Sequence, residues 1–390
     1  MNNGQKRDLT SATIRIYSEF PLTYPGGVER LVKLFGSFFD KEGLKTFIIQ
    51  NIKDFYQRPP DPNYSILGLN VTSMEFERYG FPRFLYQDFP NIEDIRKSID
   101  SIHMVFIRRV PPRGVLRELY ESKSKIIFCL HGIALEKLRI TSPLIMLHQF
   151  LIRYKLRHLA SFAKGNIFIQ VLTPSQYSYL IKNGSDNKNI FLIENKINST
   201  SIGVKRNDDE FYVIFVGRME NLQKGIKLLR DVIFYSYRIN PEIKFRLVGS
   251  GSDSGILSKL PPNATYLGKV KDYEKQNLVS SSNIALITSL LEPYSLVALE
   301  YLNAGLPIVS TPASGPSYII SKSAYFGKSA SFRAKDLATV LNTYFNLWKK
   351  DKYRYFIMKN DISKQAAILF REEEMLKSYE EMVERIAGMP

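Results

Sequence analysis

Short apolar runs alternate along the chain with longer stretches in which apolar residues recur every three or four positions. The short runs predict strands at Thr13–Tyr17, Thr46–Gln50, His103–Ile107, Lys125–Leu130, Phe168–Leu172 and Ile190–Ile193, and again at Tyr212–Val216, Lys244–Val248, Asn283–Thr288 and Pro307–Ser310. Several are continuously apolar rather than alternating, the mark of parallel strands covered on both faces. Strands interleaved with helical stretches predict an α/β fold with doubly wound sheets. The series is interrupted at residues 196–210 (KINSTSIGVKRNDDE), a polar stretch without apolar period, which predicts an inter-domain linker. Two Rossmann-like domains facing across a cleft are therefore expected, over residues 10–200 and 201–369. Beyond them Leu376, Tyr379, Met382, Val383 and Ile386 form an apolar stripe at helical spacing, so a last helix over 370–388 is expected to pack back on the N-terminal domain.

Composition narrows the setting. No apolar run reaches the ~18 residues that a membrane-spanning helix needs. The polar start, Met1 to Thr13, has no hydrophobic export signal. Cys129 is the single cysteine, so no intramolecular disulfide forms, in keeping with a reducing compartment. A cytoplasmic protein is expected, and Asn70-Val71-Thr72 is read as a chance glycosylation triplet. The net charge of +16 is unevenly spread. Residues 1–200 carry 28 basic and 18 acidic side chains, and residues 101–164 alone carry 12 and 3, so the N-terminal excess sits in that one stretch. Such a patch attracts phosphates, whether of a nucleotide, a lipid headgroup or a nucleic acid. Arg108, Arg109, Arg113, Arg117, Arg153, Lys155 and Arg157 flank apolar segments, among them Leu144–Ile152, a pattern expected of a helix lying on an anionic membrane.

Candidate chemistry centres on Glu292-Pro-Tyr-Ser-Leu-Val-Ala-Leu-Glu300, which follows an apolar strand and opens a helix. A helix start offers amide donors and a favourable dipole to an anion, here at the Pro293, Tyr294, Ser295, Leu296 turn. The flanking carboxylates, Glu292 and Glu300, suit hydroxyl groups on either side. Earlier, the strand ending at Gly217 leads into a loop bracketed by Arg218 and Lys224. In open α/β sheets ligands bind beyond the carboxyl ends of strands, and two cations there suit a departing diphosphate.

This arrangement resembles glycosyltransferase family 4, the large retaining GT-B family. Its Val-Gly-Arg…Lys-Gly loop is matched by Val216-Gly-Arg…Lys224-Gly, and its Glu-x7-Glu box by Glu292–Glu300 followed by Ala304-Gly-Leu-Pro-Ile. Pro25-Gly26-Gly27-Val28-Glu29-Arg30, His131-Gly132, Leu172-Thr-Pro-Ser175, Ile193-Glu-Asn195 and Leu247-Val-Gly-Ser-Gly251 are similar to further elements of that family, in its order. Ser295 departs from it by standing where the family usually has glycine, and Ile193–Lys196 departs by lacking the usual proline and glycine. The resemblance implies that Arg218 and Lys224 hold the donor diphosphate. It implies that Glu292 binds sugar hydroxyls near the reacting carbon and Glu300 the ribose. Gly26 and Gly27 would admit a close backbone approach, and His131 would donate a hydrogen bond at the sugar.

The implied activity is a retaining transfer from a nucleotide diphosphate-sugar to a glycan or lipid-linked acceptor. No cofactor is expected, and no metal, because no Asp-x-Asp sequence occurs. No nucleic-acid partner is expected either, for want of a recognised motif. Two alternatives stay open: another GT-B enzyme, such as a nucleotide-sugar epimerase or a phosphorylase, and a non-catalytic protein that binds sugar or nucleic acid.

Overall fold

The computed structural model describes residues 12–22, 27–52, 69–79, 87–136, 143–198 and 203–389. The chain divides into two compact units. The first takes Met1–Glu194 together with Glu373–Pro390, and the second is Asn195–Glu372. Each is built on one parallel sheet.

In the first unit the strands are β1 (Thr13–Ser18), β2 (Lys45–Asn51), β3 (Asn70–Met74), a small antiparallel pair β4 (Glu77–Tyr79) and β5 (Gln87–Phe89), then β6 (Ser101–Phe106), β7 (Lys125–Cys129), β8 (Ile167–Val171) and β9 (Ile190–Leu192). The seven-stranded sheet runs β3-β2-β1-β6-β7-β8-β9. β6, β7 and β8 lie at its centre and are buried along nearly their whole length, which is why they read as unbroken apolar runs. Ile126, Phe128, Ile167 and Ile169 pack there with Leu116, Leu119, Leu156 and Leu159 from the covering helices.

The second unit holds β10 (Phe211–Val216), β11 (Ile243–Val248), β12 (Ala264–Gly268), β13 (Ile284–Ile287), β14 (Ile308–Ser310) and β15 (Gly327–Ser329). Its sheet runs β12-β11-β10-β13-β14-β15. Counted within the unit this is the order 3-2-1-4-5-6 of a doubly wound nucleotide-binding sheet. The connections on the two sides of β10 wind in opposite senses. The loops leaving β10 and β13 therefore part at a topological switch point, where such sheets bind ligands. In the first unit the same reversal falls between β1 and β6. Among the described residues no helix is long and apolar enough to cross a membrane.

Candidate functional site

The loop leaving β10 is shaped by its glycines. Gly225 adopts φ +65°, and a Cβ there would stand 2.3 Å from the carbonyl oxygen of Thr288. Only glycine lets this loop press against the end of β13. The seam is then stitched by hydrogen bonds. The Thr288 hydroxyl donates to Lys224 O (2.8 Å), and the Leu290 amide donates to Gln223 O (2.8 Å). On the other side Gly249, at φ +133°, lies so close that a Cβ would meet Gly217 O at 1.8 Å. Asp253 accepts from the Asn221 amide at 2.7 Å. The Gly249–Gly255 run is thus a brace for the β10 loop.

Held this way, Lys224 donates through Nζ to the Glu292 carboxylate, forming an ion pair with both side chains largely buried. The Ser289 hydroxyl donates to the same carboxylate oxygen at 3.0 Å. The Glu292 carbonyl accepts from the Gly315 amide (2.9 Å) and the Ser314 hydroxyl (3.2 Å), which clamps the turn from the loop after β14. Arg218 is more open; it donates to Glu220 (2.9 Å) and to the Gln223 side chain (2.7 Å). The structure thus brings Arg218, Lys224 and Glu292 to the switch point of one sheet.

The helix Leu296–Asn303 begins at this place. Pro293 has no N–H, so of the expected turn it contributes a fixed φ and no donor, which corrects the reading of four donors there. Tyr294 is buried at 2% exposure. Ser295 precedes the helix at φ +114°, a region that glycine occupies without cost, and its buried hydroxyl has no hydrogen-bond partner. Glu300 sits two turns further on and pairs with Lys275 at 3.3 Å. A shallow groove of about 530 Å³ along the helix Ile226–Ile239, lined by Arg230, Phe234, Arg238 and Lys259, includes none of these residues.

In the first unit, His131 follows β7. Its Nε2 lies 3.0 Å from Gln170 Oε1 and 3.3 Å from the Tyr379 hydroxyl. The Gln170 amide nitrogen is committed to the carbonyls of Val171 and Ile193, so the Gln170 oxygen accepts and His131 Nε2 donates. Nδ1 is then a bare acceptor, buried without a partner. Burial lowers the imidazole from 6.5 to about 4, so it is neutral at pH 7. In this tautomer a ligand hydroxyl would donate to His131, the reverse of the direction the sequence suggests. Gly27 is the exposed first residue of the helix Gly27–Lys41, whereas Gly26 and Pro25 lie outside the described residues.

Sequence reasoning placed Arg108 only among the basic residues flanking apolar segments, not at a site. At the switch point of the first sheet its guanidinium donates to Glu29 at 2.9 Å, lies 3.7 Å from Glu19 and stacks over Phe20 at 3.9 Å. Gly132 packs against its backbone, where a Cβ would come within 2.6 Å of Arg108 Cα. The signal available was position alone: Arg108 follows the central strand β6, as Gly217 follows β10.

Two doubly wound parallel sheets define the GT-B class of fold. The chain superposes on sucrose-phosphate synthase from Thermosynechococcus elongatus with a TM-score of 0.70 at 15% identity, covering 96% of this chain and 99% of that one. The Anabaena protein HepE, solved in complex with UDP-glucose, gives 0.67 at 15% identity, covering 95% and 99%. Residues 210–342 match the family described as glycosyl transferases group 1. Over 140 residues the chain is 35% identical to an uncharacterized glycosyltransferase of Methanocaldococcus jannaschii, MJ1607, and it spans 33% of that relative's length. The second unit is thus similar to the group 1 glycosyltransferases, through residues 210–342.

Proposed function

We propose that the chain transfers a sugar from a nucleotide diphosphate-sugar to an acceptor hydroxyl, with retention of configuration at the sugar. The observation that carries this reading is the Lys224–Glu292 pair at the switch point of the sheet that matches the family. UDP-glucose in the Anabaena relative supports a donor of that class. In this reading Lys224, Arg218 and the amides at the start of the helix Leu296–Asn303 receive the diphosphate, in place of a metal. Lys224 shifts part of its hydrogen bonding from Glu292 to phosphate, and Glu292 turns to a sugar hydroxyl. Glu300 accepts from the ribose hydroxyls. The acceptor oxygen forms its bond to the anomeric carbon on the face from which the diphosphate leaves. The electron pair of the breaking C–O bond goes to the diphosphate, and the acceptor proton follows it to a phosphate oxygen. Neutral His131 accepts a hydrogen bond from a hydroxyl. The acceptor is a growing glycan or a lipid-linked molecule, the latter supported by the basic, partly apolar surface of the first unit, which would sit on the cytoplasmic face of a membrane.

The test has two stages. UDP-, GDP- and ADP-sugars are screened for a rise in melting temperature, since a ligand of the folded state stabilises it. Transfer from the best donor is then measured for Arg218→Ala, Lys224→Ala and Glu292→Ala. Losing a group that stabilises developing charge costs about 10²–10³ in kcat. Folded variants with wild-type turnover would overturn the site assignment, and a donor epimerised without any acceptor would point to the epimerase alternative.

A further inference from the structure

The helix Pro143–Phe162 turns a large apolar face to solvent. Met146, Leu147, Phe150 and Tyr154 are 41, 55, 63 and 56% exposed. At 3.6 residues per turn they fall within an arc of roughly 100°, and they are neighbours rather than scattered single residues. The opposite face is the buried one: Ile145, Gln149, Leu156, Leu159 and Ala160 pack into the first unit. The helix contains no acidic residue, whereas Arg153, Lys155 and Arg157 lie along it. Arg109 approaches from the loop after β6, close enough that its charge adds to burial in lowering both His148 and Lys155. On the helix Arg157 falls within the apolar arc, Arg153 stands at one edge of it, and Lys155 lies further round beyond the other.

We infer that this helix is the element by which the first unit lies on an anionic lipid bilayer, with Met146, Leu147, Phe150 and Tyr154 in the interface and the cations at the headgroups. The proposal deepens the membrane part of the reading above and is independent of the donor chemistry. Charge decides the partner, because an apolar face accompanied by cations, on a helix with no acidic residue, fits a surface that is apolar within and negative at its boundary. A second copy of this chain would bring like charges together. The helix is also tied to the segment that follows His131. Gln149, fully buried, accepts from the Glu136 amide (2.9 Å) and donates to Ala134 O (3.2 Å), and Arg153 donates to Glu136 O (2.8 Å). Docking would therefore hold the His131–Glu136 segment at a fixed height over the lipid.

The experiment uses vesicles of phosphatidylcholine with and without phosphatidylglycerol, at low and high salt. The wild type is expected to sediment with the anionic vesicles and to be released by salt. The Leu147→Glu, Phe150→Glu double variant, altered only at exposed positions, should keep the wild-type melting temperature and lose binding by about tenfold or more. Cys129 is fully buried, so Phe150→Cys can be labelled with an environment-sensitive dye at position 150. Its emission should shift to the blue on anionic vesicles. No sedimentation at low salt overturns the proposal, as does a double variant that binds like wild type. So does a dye that stays in water while the protein sediments. Self-association abolished by the double variant, without vesicle binding, would reassign the face to a second copy. None of these readouts needs a sugar nucleotide, so failure here leaves the transferase reading to its own test.

Discussion

Ser295 is the residue where local rules and the site disagree most. A serine at φ +114° costs on the order of 1–3 kcal/mol, and its hydroxyl is buried with no partner. Ser295→Gly should therefore raise stability by about 1 kcal/mol, after allowing for the extra backbone entropy of glycine in the unfolded chain. Urea unfolding measures this, and a variant less stable than wild type would show that the turn is not strained. The Lys224–Glu292 pair is a different kind of residue-scale fact. The Glu-x7-Glu spacing and the lysine are both visible in the sequence, yet 68 positions separate the partners and nothing local says that they touch. Their contact depends on Gly225 and on the stitching by Thr288 and Leu290, which only the folded sheet reveals.

At the scale of elements, most strands that the sequence made legible are buried ones, the short edge strand β9 being an exception. β6, β7, β8, β10 and β13 are apolar because both faces are covered. The strands that escaped, β3, β12 and β15, stand at sheet edges, and the short pair β4–β5 lies outside both sheets. Asn70–Met74, Ala264–Gly268 and Gly327–Ser329 are only partly buried and carry polar or small residues, so no apolar run marks them. The helix Glu372–Ala387 was legible as an amphipathic stripe, but its role beside His131 was not. Tyr379 on it is fully buried, packs at a tilt against Phe35 with ring centroids 4.2 Å apart and reaches His131. Tyr379→Ala should cost about 3–5 kcal/mol, the range for emptying a large aromatic site. Guanidinium unfolding measures the loss, and a cost below about 1 kcal/mol would mean that the helix is not part of the core.

The two units should answer differently to pH. Burial lowers His103 and His131, both in the first unit, from 6.5 to about 4. The unfolded chain takes up these protons first, so stability is present above pH 6.5 and is lost as pH falls toward 4, by roughly 3 kcal/mol for each histidine. In the second unit, burial pulls Lys359 down to about 8 while it donates to the carbonyls of Lys205 and Ser282. The unfolded lysine holds its proton up to 10.5, so this group adds stability as pH rises from 8 to 10.5. Acid should therefore open the first unit before the second. Trp348, the single tryptophan, is buried in the second unit and reports on it alone, whereas far-ultraviolet circular dichroism reports on both. The dichroism transition should precede the tryptophan one between pH 6.5 and 4, and coincident curves would contradict it. The division of the chain also governs how it is made. The helix that packs beside His131 leaves the ribosome only after the whole of Asn195–Glu372, so the domain begun first is finished last. During synthesis the second unit can close while the first still waits, with Phe35 and its neighbours uncovered, for its final eighteen residues, Glu373–Pro390.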